Sequence, residues 1–452
     1  MTTRDYATID LSVDRTGEAM ESINKEVWML AEISNEESES AKVHMRELEA
    51  AGFTITSVGT SGRPTAFIAE WEQGEGGARI GFLPEYDALP DLGNAASGEQ
   101  VAAPNGKTSG HGCGHNLLGA ACTGAAIALK FTMEMEGIPG LVRVYGCAAE
   151  ETSGAKVYMV RDGYFDDIDV CIAWHPQTYA GTGYVSTSAM SDVVVEFHGK
   201  TAHAGGSPWE GRSALDALEL FMHGINLMRE HVPTSVRMHY VIQAGGSAPN
   251  IVPDYTRLYM YLRDKDRAGV EALTTWARAL AEGAAMGTQT RAEFHVPYGM
   301  SETINNTPLV ENCYKHMMEV GAPQWTEAEQ AFARDCQRNF GVPEEGMATD
   351  VRPISPPSVQ GGSSDLGDVS WCVPLIWFWY PSVPQGVSMH TWPVTACGGM
   401  SIGSKAVDGA AKIMARMGYD LMTDAELRAA ARADFIERRG DVKYISPLDN
   451  VS

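Results

Sequence analysis

The chain has 452 residues, 44% of them hydrophobic and 20% charged, and carries a formal net charge of −24. That length exceeds what one hydrophobic core usually organises, so two domains are expected. The negative charge repels nucleic-acid phosphates and anionic lipid surfaces, and no basic patch offsets it, so neither nucleic acid nor membrane is expected as a partner.

The start, MTTRDYATIDLSVDRTG, has neither the basic nor the apolar region of a signal peptide, and no later stretch reads as long and apolar enough to span a bilayer. A cytoplasmic location is expected. The cysteines are scattered with no paired framework, which predicts reduced and mostly buried thiols.

In chain order, Met20, Ile23, Val27 and Leu30 recur at helical spacing within 17–51 and predict an opening amphipathic helix. Short apolar strands follow at 53–58, 65–71, 78–83, 141–148 and 168–174, with a helix over 117–135 among them. This alternation reads as an α/β sheet. From residue 191 the texture changes to strand, helix, strand, strand, helix, strand, ending at 297, as in a separate α+β module. The chain then returns to helices, a glycine-rich stretch near Gly361, an apolar run at 375–380 and a closing helix over 399–416. The order predicts a catalytic α/β domain, with a central mixed sheet and helices on both faces, split into 1–190 and 299–452. An α+β lid or dimerisation domain is inserted at 191–298.

The densest chemical signal is SGHGCGHNLLGAA at 109–121, where His111, Cys113 and His115 lie among glycines just before a helix. Thiolate and imidazole suit zinc or another borderline divalent ion, and glycine lets the backbone fold tightly around it. A glycine-rich turn with a buried thiol is the plain alternative. Glu150 and Glu151 follow a predicted strand. Adjacent carboxylates usually decorate a surface, but at the C-terminal end of an α/β strand they face the ligand crevice, where one can bind metal and the other move a proton.

His175 in AWHP and His390 in SMHTWP also lie beyond apolar strands. Alone, either reads as a structural histidine; together with the carboxylates they read as a site. Asp87 in EYDALP either caps a turn or orients a ligand histidine from behind. The aromatic run at 377–381 could stack an aryl group but reads more readily as core. His44, His198, His223, His231, His239, His295 and His316 have no metal-like neighbours and read as structural or surface residues.

With these residues assembled, nearly the whole chain resembles the peptidase-family M20 metallohydrolases, in their aminobenzoyl-glutamate hydrolase-like branch. The phrases EYDALP, GHGCGHNLLG, EET, DGYFDDIDVCIAWHP, AHAGGSPWEGRSALDA, GGSAPNIVP, SSDLGDVSW and MHTWP carry the resemblance. It implies two divalent ions per chain, Mn2+ or Zn2+, bridged by Cys113. Glu151 and His390 would complete one metal site, and His115 and His175 the other. Glu150 would be the general base, and the ligand pair at Cys113 and His115 leaves His111 aside. Glu85 stands where many relatives carry a ligand histidine, a role that His115 takes here.

On the lid, the resemblance implies that His203 and Asn250 reach the active site of the partner in a homodimer, and that Arg263 holds a substrate carboxylate. Pairing of Arg263 with Asp264 or Asp266 is the plain alternative. The implied reaction is hydrolysis of an amide in a small carboxylate-bearing substrate, an N-acyl or N-aroyl amino acid such as aminobenzoyl-glutamate. Alternatives are a dipeptidase, release of an amino group from an aromatic ring, and a noncatalytic carboxylate-binding partner subunit. Retention of Glu150 argues against the last. A homologous second subunit is a further possible partner.

Overall fold

The computed structural model describes residues 5–448. These fall into two compact units, the first comprising 5–185, 304–358 and 369–442, and the second 186–303, 359–368 and 443–448.

The first unit is built on a six-stranded mixed sheet in the order Thr54–Val58, Phe67–Gln73, Gly140–Gly146, Ala78–Phe82, Val170–Ile172, Leu375–Ile376. The first two neighbouring pairs are antiparallel, and the remaining three are parallel. All seven residues of Gly140–Gly146 are buried, as the central strand of a sheet covered on both faces requires. Parallel strands place their C-terminal ends on one edge, which is where Glu85, Glu150 and His175 emerge.

The helix His115–Glu136 lies against this sheet and buries most of its length. It is long and apolar enough to cross a membrane, which corrects the expectation that no such stretch exists; 94% of its apolar window is buried in protein. Small residues let neighbours approach closely: a Cβ on Gly124 would stand 2.3 Å from Met20 Cγ, and one on Gly119 would stand 2.4 Å from the Glu85 carbonyl oxygen. Gly119 thereby draws the helix against the Glu85 backbone and sets His115 in register with it.

Other elements differ from the sequence expectation, among them the closing helix expected over 399–416, which is Ser401–Thr423 and is followed by Ala425–Arg439. The opening helix is two, Gly17–Leu30 and Ser38–Ala50, because Ala31 adopts a left-handed conformation (φ 41°) and ends the first. A further helix, Ala7–Arg15, precedes them; its mixed polar pattern hides the buried Ile9 and Val13. The aromatic run is core: Phe378 and Tyr380 are buried, and Trp379 pairs with His175 along a short parallel ladder.

The second unit is an antiparallel sheet in the order Arg291–His295, Ala189–His198, Tyr255–Asp264, Arg237–Ala244, with Gly299–Met300 also paired to Ala189–His198. The helices Ala214–Met228 and Arg267–Thr288 contribute to its apolar core, which includes Val193, Val195, Phe221, Leu258, Leu273 and Phe294. Ser213 and Asp266 cap these helices by accepting the amides of Asp216 and Gly269. The alternating burial of Tyr255–Asp264 gives the sheet one packed face and one polar face.

Candidate metal centre

Cys113 and His115 flank Gly114, whose φ of 75° favours glycine and whose added Cβ would meet Pro176 Cγ at 2.9 Å. The turn aims both side chains to one side at the start of the buried helix. Glu150 and Glu151 follow Ala149, itself at φ 56°, and His390 sits at φ 62°. Non-glycine residues held in this region signal a conformation imposed by their surroundings. At Ala149 the restraint is Glu37, fully buried, whose Oε1 accepts the Ala149 amide at 2.7 Å. At His390 it includes the main chain, where His390 N donates to Gly112 O at 2.8 Å.

The predicted ligands converge. Cys113, His115 and His175 form one triad with donor atoms within 4.8 Å of one another, and Cys113, Glu151 and His390 form a second. Cys113 belongs to both. Its Sγ is 3.4 Å from His175 Nε2, and Glu151 Oε1 is 3.5 Å from His390 Nε2. Glu150 Oε2 lies 3.9 Å from His115 Nε2, close to the ligands.

The His115 and His175 imidazoles are each oriented by their other nitrogen. His115 Nδ1 donates to Asp87 Oδ1 at 2.9 Å, and His175 Nδ1 donates to Pro176 O at 2.8 Å, so both Nε2 atoms are aimed at the cluster. Asp87 is buried and also accepts Ser34 Oγ at 2.7 Å and the Glu151 amide at 3.1 Å, tying the histidine and carboxylate arms together.

Two divalent ions fit this donor set. Among the described residues, His115 Nε2 and Glu151 Oε1 are buried with no hydrogen-bond partner, a costly arrangement that coordination would satisfy. Burial and the adjacent Glu151 push the Cys113 thiol well above its ordinary range. Burial raises Glu151 to about 7 and lowers His175 to about 4. For His115, burial acts downward, but the neighbouring Cys113 and Asp87 outweigh it and raise the imidazole. A dication held here would reverse the penalty on the anionic groups, take the place of the His115 Nε2 proton and use the lone pair of neutral His175. His390, half exposed where His115 is fully buried, marks the open side of the cluster.

The sequence reading left Glu85 without a role. It is buried, accepts from Lys156 Nζ at 2.7 Å, and joins His115 and Glu150 in a third triad. Lys156, on a short helix after the EET motif, carries no sequence signal of its own. His111 is buried with Nε2 3.0 Å from Val27 O, outside the triads.

In the second unit, His203 and Ile251 pair as an isolated bridge, which sets Asn250 beside His203 on exposed loops. His203 Nδ1 accepts the Gly205 and Gly206 amides at 3.2 and 3.0 Å, leaving the proton on Nε2. Arg263 pairs with neither expected aspartate: Asp264 is taken by Ser235 and the Lys265 amide, while Asp266 caps a helix. Arg263 instead donates to Gly361 O at 3.2 Å and lies over the Tyr261 ring. A fourth triad, Glu196, Glu293 and His295, is on this unit, but its carboxylates are already matched by Arg257 and Arg291.

The separate α+β unit is matched by family comparison. Residues 185–287 match the peptidase dimerisation domain of the M20 family. The chain belongs to the M20 family and is a metal-dependent amidohydrolase.

It is 35% identical to the B component of the p-aminobenzoyl-glutamate hydrolase of Escherichia coli, over 98% of this chain and 97% of that protein. It is 29% identical to the human Xaa-Arg dipeptidase, over 97% of this chain and 93% of that protein. Among solved structures, a Bacillus subtilis protein described as a dinuclear metal-binding M20 peptidase shares the fold, with a TM-score of 0.60 and 18% identity. That match covers 91% of this chain and 99% of the other.

Proposed function

We propose that the protein hydrolyses the amide bond of an N-acyl or N-aroyl amino acid at a dinuclear centre, with aminobenzoyl-glutamate-like compounds as leading substrates. The observation that carries this reading is the presence of Cys113 in both ligand triads. His115 and His175 would hold one ion with Cys113, and Glu151 and His390 the other. Bound Mn2+ or Zn2+ would supply Lewis acidity toward the scissile carbonyl and make water acidic enough to react near neutral pH.

Glu150, beside the ligands but outside the two Cys113 triads, accepts the water proton and delivers it to the leaving nitrogen. Asp87 keeps the His115 ring in its ligating orientation. On the second unit, the His203 Nε2 proton suits donation to a carbonyl oxygen, and Arg263, paired with neither Asp264 nor Asp266, suits a substrate carboxylate. His203 and Asn250 act at the partner's centre in a homodimer. The exposed Val241 and Ile242 on the outer strand of the sheet, with exposed Leu220 and Leu227 on the adjacent helix, support pairing through this unit. The similarity to one component of a hydrolase that has another also supports a homologous second subunit.

The dipeptidase reading is favoured by the similarity to Xaa-Arg dipeptidase. The test is turnover of p-aminobenzoyl-glutamate, other N-acyl amino acids and Xaa-Arg dipeptides by protein loaded with Mn2+ or Zn2+, alone and with a homologous subunit. Preference for an aroyl amino acid supports the leading substrate. Exclusive cleavage of dipeptides replaces it, and no amide turnover by fully loaded protein overturns the reading.

A further inference from the structure

We propose that Glu85 is an additional metal ligand, joining His115 at one ion, and that buried Lys156 holds its carboxylate in place. The inference rests on the dinuclear reading above and adds to its ligand set.

Glu85 and Lys156 are both buried, and Lys156 Nζ donates to Glu85 Oε1 at 2.7 Å. The other oxygen, Oε2, has no hydrogen-bond partner among the described residues and stands 3.3 Å from His115 Nε2. Among the described residues that nitrogen, too, is buried without a hydrogen-bond partner, while Nδ1 of the same ring bonds to Asp87. A buried carboxylate oxygen and a buried imidazole nitrogen that face each other without a hydrogen bond suit a shared cation, which would take the place of the Nε2 proton. Their spacing also suits one: ligand atoms about 2.1 Å from an ion and tetrahedrally arranged are about 3.4 Å apart. The pairs Cys113–His175 and Glu151–His390 have nearly the same separations, 3.4 and 3.5 Å.

The backbone around Glu85 is fixed from two sides. Glu85 forms a parallel bridge with Cys147, just before the EET turn, and its carbonyl lies against Gly119 on the helix that carries His115. Lys156 leaves one carboxylate oxygen facing the cluster and offsets part of its charge. Glu85 and Lys156 therefore act on bound cations with opposite signs, one attracting and the other repelling.

The test is a chelator-competition titration with Zn2+, paired with absorption spectra of Co2+-loaded protein, on the wild type, Glu85→Gln, Lys156→Met and the double variant. The double variant removes the buried pair together, so a folded protein can be measured even where Glu85→Gln strands a buried lysine. Wild type is expected to bind two ions. Glu85→Gln and the double variant should weaken one of them tenfold or more and shift its Co2+ bands, while Lys156→Met should keep or tighten it. Wild-type affinity and an unchanged spectrum in the folded double variant would overturn the proposal, as would equal weakening by Glu85→Gln and Lys156→Met, the pattern of a purely structural pair. A wild type that binds fewer than two ions would instead overturn the dinuclear reading.

Discussion

Asp87→Asn keeps the shape of the side chain but replaces an acceptor oxygen with a donor. Asp87 accepts three hydrogen bonds in a fully buried position, from His115 Nδ1, Ser34 Oγ and the Glu151 amide. Burial would raise its carboxyl, but the His115 and Ser34 bonds prevail and hold it down to about 2, so it is a carboxylate at neutral pH. An asparagine can serve at most two of the three donors with its single oxygen. If its NH2 faces His115, the ring must move its proton to Nε2, the atom aimed at the cation. Losing such an outer partner typically costs 10–100-fold in metal affinity, or about 1.4–2.7 kcal/mol. That range overlaps the roughly 1.5–3 kcal/mol of one hydrogen bond to a charged group. Zn2+ competition titration of the folded variant, checked by near-ultraviolet circular dichroism, should show the loss mainly at the ion held by His115. Wild-type affinity at both ions would refute the orienting role.

Glu150→Gln should reduce turnover by about 10²–10⁴ while metal content stays near wild type, because it removes a proton acceptor and leaves both Cys113 triads intact. Large metal loss, measured by elemental analysis, would make Glu150 a ligand instead. Mixing Glu150→Gln with His203→Ala under subunit exchange should restore part of the activity, since one site of each mixed dimer escapes both defects; no recovery despite demonstrated exchange would place His203 outside the partner's site. Burial, with the Asp87 charge nearby, raises Glu37 to about 7 from 4.5. The folded state therefore favours neutral Glu37, and its contribution to stability is full below about pH 4.5 and falls as pH rises through 7, by roughly 3 kcal/mol at most. Denaturant titrations of metal-free wild type and Glu37→Gln should differ increasingly across that window, and a pH-independent difference would contradict it.

Much of the candidate cluster was legible because its residues follow apolar strands or open a helix, where local pattern and chemistry coincide. Cys113 and His115 share one glycine-rich motif, and Glu150 and His175 follow strands whose periodicity is plain. Glu85 and Lys156 were not legible, since a buried ion pair joining residues 71 positions apart leaves no local pattern. The same holds for Glu37, which supports the Ala149 turn from a distant helix boundary. The single-helix reading of 17–51 failed because apolar spacing does not reveal a left-handed residue at Ala31. The bilayer expectation failed at His115–Glu136 because its many alanines and glycines give moderate hydropathy; their small size serves close packing inside the protein.

The shared thiolate is tested most directly by counting bound ions and measuring their affinities in Cys113→Ala beside His175→Ala and His390→Ala. Each histidine variant should weaken a different ion, and Cys113→Ala should weaken both, because its sulfur belongs to both triads. Two ions bound to folded Cys113→Ala with wild-type affinity, or the loss of only one, would contradict a bridging cysteine.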